Sequence, residues 1–281
     1  MIAISARRPA SKTFSLLSAV AVATLLGLGL AGCSRPSMSD VTGSIGGQEA
    51  PPRGDAALRQ YAEEWGRRYD ADRNDKRTAT NYARALRTLG QHAQAVAILQ
   101  GLAVKHPRDM EVLGQYGKAL ADAGRLQEAS KVLANAHTPE RPNWSILSAQ
   151  GSVADQMGEH AQAQSYYAAA LKIRPNDPMV LSNLGLSYAL SRNLPRAEST
   201  LRDATGQSGA DMRVRQNLAL VLALQGKFAE AEDVSRRDLS PIEASANVAS
   251  IRSMISQSNT WRDIRKLDKP ARAGKGVDAD G

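Results

Sequence analysis

Apolar positions along this chain follow three rhythms, and each predicts a different kind of segment. From Leu16 to Leu30 they form a fifteen-residue run behind Arg7, Arg8 and Lys12. Fifteen residues fall short of the roughly 20 that a bilayer-spanning helix needs. A basic start, a short apolar core and a small-residue exit read as a secretory signal peptide over 1–33. Over 34–54 the periodicity vanishes and Gly, Ser and Pro dominate, which predicts a flexible tether reaching roughly 25 Å root-mean-square. Helical period returns over 55–75 as an opening helix, and from 76 to 245 the pattern repeats itself. A further helix is expected over 240–258, started by Ser240-Pro241-Ile242-Glu243, a capping box with proline at the first helical position. The segment 259–281 is charged and Gly-rich, and is expected to be disordered.

The repeat has a fixed step. A Gly or Ala stands at Ala83, Gly117, Gly151, Gly185 and Ala219, with the same interval of thirty-four each time. Twelve residues after each stands an alanine: Ala95, Ala129, Ala163, Ala197 and Ala231. Gly90, Gly124, Gly158 and Gly226 fall between the members of four pairs, with Arg192 in the remaining one. The spacing predicts five antiparallel helix pairs. The small residues of each pair are expected to face each other, because larger ones would overpack the seam. The intervening glycine would end the first helix in a left-handed conformation. Leu86, Leu120, Tyr188 and Leu222 fill the first helices, and Leu99, Leu133, Tyr167 and Leu201 the second. The fifth unit has Ser235 and Asp238 where apolar or small residues are expected, which suits a terminal position. The fold class is all-α, a solenoid of about five helix pairs with flanking helices.

Composition narrows the chemistry. The chain carries +8, of which three basic residues and no acidic ones lie in 1–33, and the rest is too modest and dispersed for a nucleic-acid module. Aromatics at 4% disfavour a β-barrel or sandwich. Cys33 is the sole cysteine, so the chain has no internal disulfide to form. His92, His106, His137 and His160 make no metal-binding spacing, and none of the familiar phosphate-loop, dinucleotide or nucleophile signatures occurs. His92 and His160 lie two repeats apart at the same repeat position, and are expected to pack at helix starts. Glu63 and Glu64 read as surface charge. No catalytic residue, metal, cofactor or small-molecule substrate is expected, so function should come from binding.

Two resemblances extend this reading. The repeating pattern resembles the tetratricopeptide repeat, with the third copy fitting best through Gly151, Gly158, Ala163, Tyr167, Ala170 and Pro175. In that family the first helices line a concave groove that holds a peptide or protein. The resemblance places Arg77, Arg84, Arg87 and Lys118 at a basic end of the groove. Asn183, Leu186, Leu190, Asn217, Leu220 and Leu224 fall at a more apolar end. An Asn amide is both donor and acceptor and can hold an extended backbone.

Leu30-Ala31-Gly32-Cys33 resembles the bacterial lipobox, which implies cleavage before Cys33 and acylation of its sulfur and amine. Several acyl chains give lasting membrane attachment where one does not. In that family an Asp after the cysteine retains the protein at the inner membrane, so Ser34 implies the outer membrane, facing the periplasm. A lipobox, a Gly/Ser/Pro tether, the helix YAEEWGRRYDAD and then NYARALRTLGQHAQAVAILQ together resemble the TadD family, lipoproteins of tight-adherence (Flp) pilus systems. That resemblance implies a non-enzymatic assembly factor whose partner is the secretin or another pilus-assembly component. The alternative is a lipoprotein scaffold for peptidoglycan hydrolases or other envelope complexes.

Overall fold

A computed structural model of the chain describes residues 51–267 except Arg53, and side chains as far as 257. The expected signal peptide with Cys33, most of the tether and the end of the tail lie outside the described residues. Twelve helices make up the described part: α1 (Asp55–Ala71), α2 (Lys76–Thr88), α3 (His92–Lys105), α4 (Met110–Asp122), α5 (Leu126–Ala134), α6 (Trp144–Gln156), α7 (His160–Ile173), α8 (Pro178–Leu190), α9 (Leu194–Thr205), α10 (Met212–Leu224), α11 (Phe228–Ser235) and α12 (Pro241–Leu267). The only β-pairing among these residues is an isolated bridge between Thr138 and Arg141.

The pairs α2–α3, α4–α5, α6–α7, α8–α9 and α10–α11 are the five repeats, with α1 packed on α2 and α12 closing over α10 and α11. Every first helix starts from an Asx residue whose side chain accepts from backbone N–H groups of the first turn: Asp75, Asp109, Asn143, Asp177 and Asp211. These caps recur once per repeat and satisfy donors that a helix start leaves orphaned. Each first helix ends in a Schellman turn, as where Glu159 N–H reaches the Ala154 carbonyl at 2.8 Å, with Gly158 at φ 82°. Arg192 occupies the same turn in the fourth unit at φ 66°, a conformation that costs a side-chain-bearing residue about 1–2 kcal/mol.

The seam inside each pair differs in detail from the sequence expectation. The space left by the missing Cβ of the first-helix glycine is taken by the large side chain sixteen residues on, rather than by the alanine twelve residues on. A Cβ at Gly117, Gly151 or Gly185 would stand 2.6 Å from Leu133, Tyr167 or Leu201, respectively. The alanines Ala95, Ala129, Ala163, Ala197 and Ala231 are themselves fully buried. At Gly185 it is the Ala197 backbone carbonyl, 3.3 Å from the Cβ position, that contributes to the close approach. Apolar burial forms two clusters that meet at α6, with Ile146, Ala149 and Val153 in one and Leu147 and Ala154 in the other. In the fifth unit Ser235 is buried and bonds back to the Ala231 carbonyl, while Asp238 is held by Arg215.

The last helix runs past position 258 to Leu267, so the first part of the expected tail is helical. Its start is the capping box: Ser240 N–H donates to the Glu243 carboxylate at 2.9 Å, and Glu243 N–H to the Ser240 hydroxyl at 3.4 Å. No helix among the described residues is long and apolar enough to cross a membrane.

Candidate functional site: the row of first helices

Successive first helices touch one another, α2 to α4, α4 to α6, α6 to α8 and α8 to α10, whereas successive second helices approach less closely, as α9 and α11 do through the exposed Arg202–Glu230 pair. The first helices therefore form the inner row of the stack, and side chains at the same repeat position line up along it.

Polar rungs join this row. Asn183 donates to the Ser148 hydroxyl at 3.4 Å, and Asn217 to the Ser182 hydroxyl at 2.9 Å. Each rung fixes the spacing of two repeats with the amide nitrogen and leaves the amide oxygen as an acceptor. Leu186 and Leu220 are half-buried beside them, while Leu190 and Leu224 are 56% and 41% exposed. The structure places Asn183, Leu186 and Leu190 on α8 and Asn217, Leu220 and Leu224 on α10, two helices that touch.

The basic end divides into surface and interior. Arg77 is exposed. Arg84 is half-buried and donates to Asn81 at 3.4 Å, and burial lowers its pKa. Arg87 and Lys118 are each only 2% exposed, so neither stands free on an open groove wall. The Arg87 Nε donates to Asp122 at 2.6 Å across the first two repeats, and its Nη1 reaches Gln115 at 3.5 Å. Arg87 Nη2 and Asp122 Oδ1 are buried without a hydrogen-bond partner. Lys118 donates to the Ser145 hydroxyl at 2.8 Å, and desolvation pushes its pKa down to about 7. The burial of these two cations was not legible in the repeat spacing. Arg87 shares its repeat position with Asp155 and Ala121, so only the particular neighbour, Asp122, draws it inward.

Of the four histidines, His160 is tied into the fold by a carboxylate. His160 Nδ1 lies 2.9 Å from Asp155 Oδ1, and the Ser187 hydroxyl donates to that same oxygen at 2.8 Å. Serine and histidine share one acceptor here and do not touch as nucleophile and base, so the set ties α6, α7 and α8 together. No cluster of three or more metal-ligating side chains occurs among the described residues.

Known proteins agree with this architecture. Models described as tetratricopeptide repeat match residues 81–142, 148–211 and 212–237, more than half of the chain. The chain belongs to the tetratricopeptide-repeat family, whose members are typically non-enzymatic scaffolds for protein interaction. It is 33% identical over 124 residues to the uncharacterized protein y4yS of Sinorhizobium fredii, a match spanning 42% of this chain and 68% of that one. Among solved structures it is similar to TTC0263, a thermophilic tetratricopeptide-repeat protein of Thermus thermophilus, with a TM-score of 0.54 at 20% identity, covering 59% of this chain and 91% of that one. The human IFIT1 dimer gives a TM-score of 0.56 at 14% identity over 70% of this chain, which spans half of IFIT1. Both structural likenesses speak to the fold.

Proposed function

We propose that this protein is a non-enzymatic, lipid-anchored adaptor of the outer membrane. It faces the periplasm, binds the secretin of a tight-adherence or type IV-like pilus machine through its repeat surface, and stabilises or localises that ring. The observation that carries the reading is the union in one chain of Leu30-Ala31-Gly32-Cys33, a Gly/Ser/Pro tether and a repeat solenoid with an inner row of first helices. An acylated Cys33 would confine the adaptor to the membrane where the ring assembles and raise its effective concentration there.

The test is deletion of the gene followed by blotting of outer-membrane fractions for heat-resistant secretin multimers, with wild-type and Cys33→Ala complementation. The reading expects the multimers to vanish and only the acylatable protein to restore them. It also expects labelled palmitate to enter the wild type and not Cys33→Ala. Multimers persisting at normal level and location would overturn it and leave a scaffold for cell-wall hydrolases, with altered morphology and intact pili, as the remaining reading.

A further inference from the structure

The second unit is finished differently from the third. α5 stops after 9 residues where α3 and α7 run 14, and the chain beyond Ala134 turns into a loop that carries the Thr138–Arg141 bridge. Beside this early stop a groove of about 500 Å³ opens between α4, the end of α5 and the turn from α3 into α4. Met110, Leu113 and Val132 give it half-buried apolar walls, and Arg108, Lys131 and Asn135 line it as exposed polar residues. The groove lies off the inner row, since Leu113 sits about 140° around α4 from Lys118 at 100° per residue. One repeat later the same positions carry larger side chains. Trp144 stands in the place of Met110 and Tyr166 in that of Val132, and both pack against the cluster that contains Leu147, the counterpart of Leu113. The Arg174 guanidinium lies over the Trp144 ring, 4.4 Å from its centroid.

The third unit thus supplies two rings and a stacked cation from its own sequence, where the second unit leaves an open groove. The groove is suited to a ring from outside. The Met110 thioether is a favourable neighbour for an aromatic edge, and a guanidinium such as that of Arg108 is drawn to a ring face. Charge completes the specification. No acidic residue lines the groove, and the acids close by already have partners. Asp109 and Glu111, on either side of Met110, pair with Lys76 at 3.1 and 3.2 Å, and Glu128, one turn before Lys131, pairs with Arg125 at 2.6 Å. Arg108 and Lys131 belong to none of these pairs, so two cations stand free at the edge of an apolar groove. They match a carboxylate beside the ring, which accepts charge-assisted hydrogen bonds.

We propose that the groove between α4 and the end of α5 docks an aromatic side chain of a protein partner that carries an acidic residue next to it. The ring sits against Met110, Leu113 and Val132, and the carboxylate meets Arg108 and Lys131. Aromatic anchors seated in such pockets concentrate the binding energy of an interface. This is a second contact surface, so it goes beyond the adaptor reading and does not depend on what the inner row binds.

The test is a methyl NMR titration of the full chain, labelled at methionine methyls and held in zwitterionic nanodiscs so that no detergent competes for the groove. Met110 is the reporter on the groove wall. Three acetylated and amidated pentapeptides are compared: a tryptophan flanked by aspartates with glycine at each end, the same peptide with alanine for tryptophan, and the same with asparagines for the aspartates. A saturable Met110 shift is expected with the first, and a response about tenfold weaker or absent with each of the other two. Arg108→Glu combined with Lys131→Glu changes exposed residues only, and should weaken the first peptide by tenfold or more. Val132→Tyr introduces the side chain type that the third unit has at this position, and should fill the groove and abolish the response; the charge-reversed protein keeps the test decisive if this variant fails to fold. An equal response to the alanine or the asparagine peptide, undiminished binding by the charge-reversed protein, or no saturable shift would overturn the proposal. So would a Met110 shift that follows protein concentration without peptide, which would mark a second copy of the chain as the occupant. The secretin blot does not depend on this titration, so failure of one leaves the other standing.

Discussion

Gly151→Ala tests the packing of the seam inside a helix pair most directly. Helix propensity alone says the change should help, since alanine in a helix interior is about 0.5–1 kcal/mol better than glycine. The structure says otherwise. An added Cβ would stand 2.6, 2.8 and 2.9 Å from three ring carbons of Tyr167, where ordinary contact begins near 3.4 Å. Tyr167 is itself fully buried between α6 and α7, so its ring has nowhere to retreat. Overpacking of this kind costs about 1–3 kcal/mol, which exceeds the propensity gain and leaves the variant destabilised by about 1 kcal/mol. Gly101→Ala in α3 is the matched control, because its Cβ meets nothing within 4 Å and the residue is exposed. That variant should gain the full propensity benefit. The propensity contribution cancels between the two, so their difference in stability measures the clash, about 1–3 kcal/mol. At this chain length it corresponds to roughly 2–4 °C in melting temperature per kcal/mol. Thermal and urea unfolding followed by circular dichroism in the far ultraviolet would read it. If Gly151→Ala is stabilised as much as Gly101→Ala, the reasoning about the seam is wrong.

Other perturbations probe other parts of the argument. Arg192→Gly should stabilise by about 0.5–1 kcal/mol, the relief of the left-handed conformation less glycine's greater unfolded-state freedom; a lower melting temperature would contradict it. Asp122→Ala should cost about 3–5 kcal/mol because it strands the buried Arg87, whereas Arg87→Met combined with Asp122→Leu should recover most of the loss. A near-neutral Asp122→Ala in denaturant titrations would show that Arg87 is not held as described. Lys118 sits at about 7 when folded and near 10.5 when unfolded, so the unfolded chain binds more protons across that window and stability should rise with pH above about 7. A gain of about 1–3 kcal/mol between pH 7 and 9 is expected, absent in Lys118→Met; identical pH profiles for the two proteins would remove Lys118 as the cause.

The repeat architecture was legible because its signal is redundant. Small residues at 83, 117, 151, 185 and 219 can share one unvarying step only if the same helix pair recurs. A second periodic signal is legible in the same way: Asp177-Pro178 reads as an N-cap followed by a first-turn proline, and Asp75, Asp109, Asn143 and Asp211 cap the other first helices at the same step. The Asn and Leu residues of the inner row share repeat positions across units four and five, on the neighbouring helices α8 and α10. Arg87 and Lys118 were not legible in the same way, since a repeat position says which row a residue joins and not whether its charge meets solvent.

Local pattern thus determined what depends on chain periodicity: helix pairs, their turns and the order of their stacking, because a buried face must recur with the helix. Tertiary structure alone decided what depends on contacts between different copies. Tyr167 rather than Ala163 fills the seam at Gly151, Asp122 draws Arg87 into the interior, and Ile146 takes the space beside Gly114. Those outcomes turn on the shape and charge of one neighbour across a packed interface, where a fraction of an ångström or one unmatched proton changes which arrangement has the lower free energy.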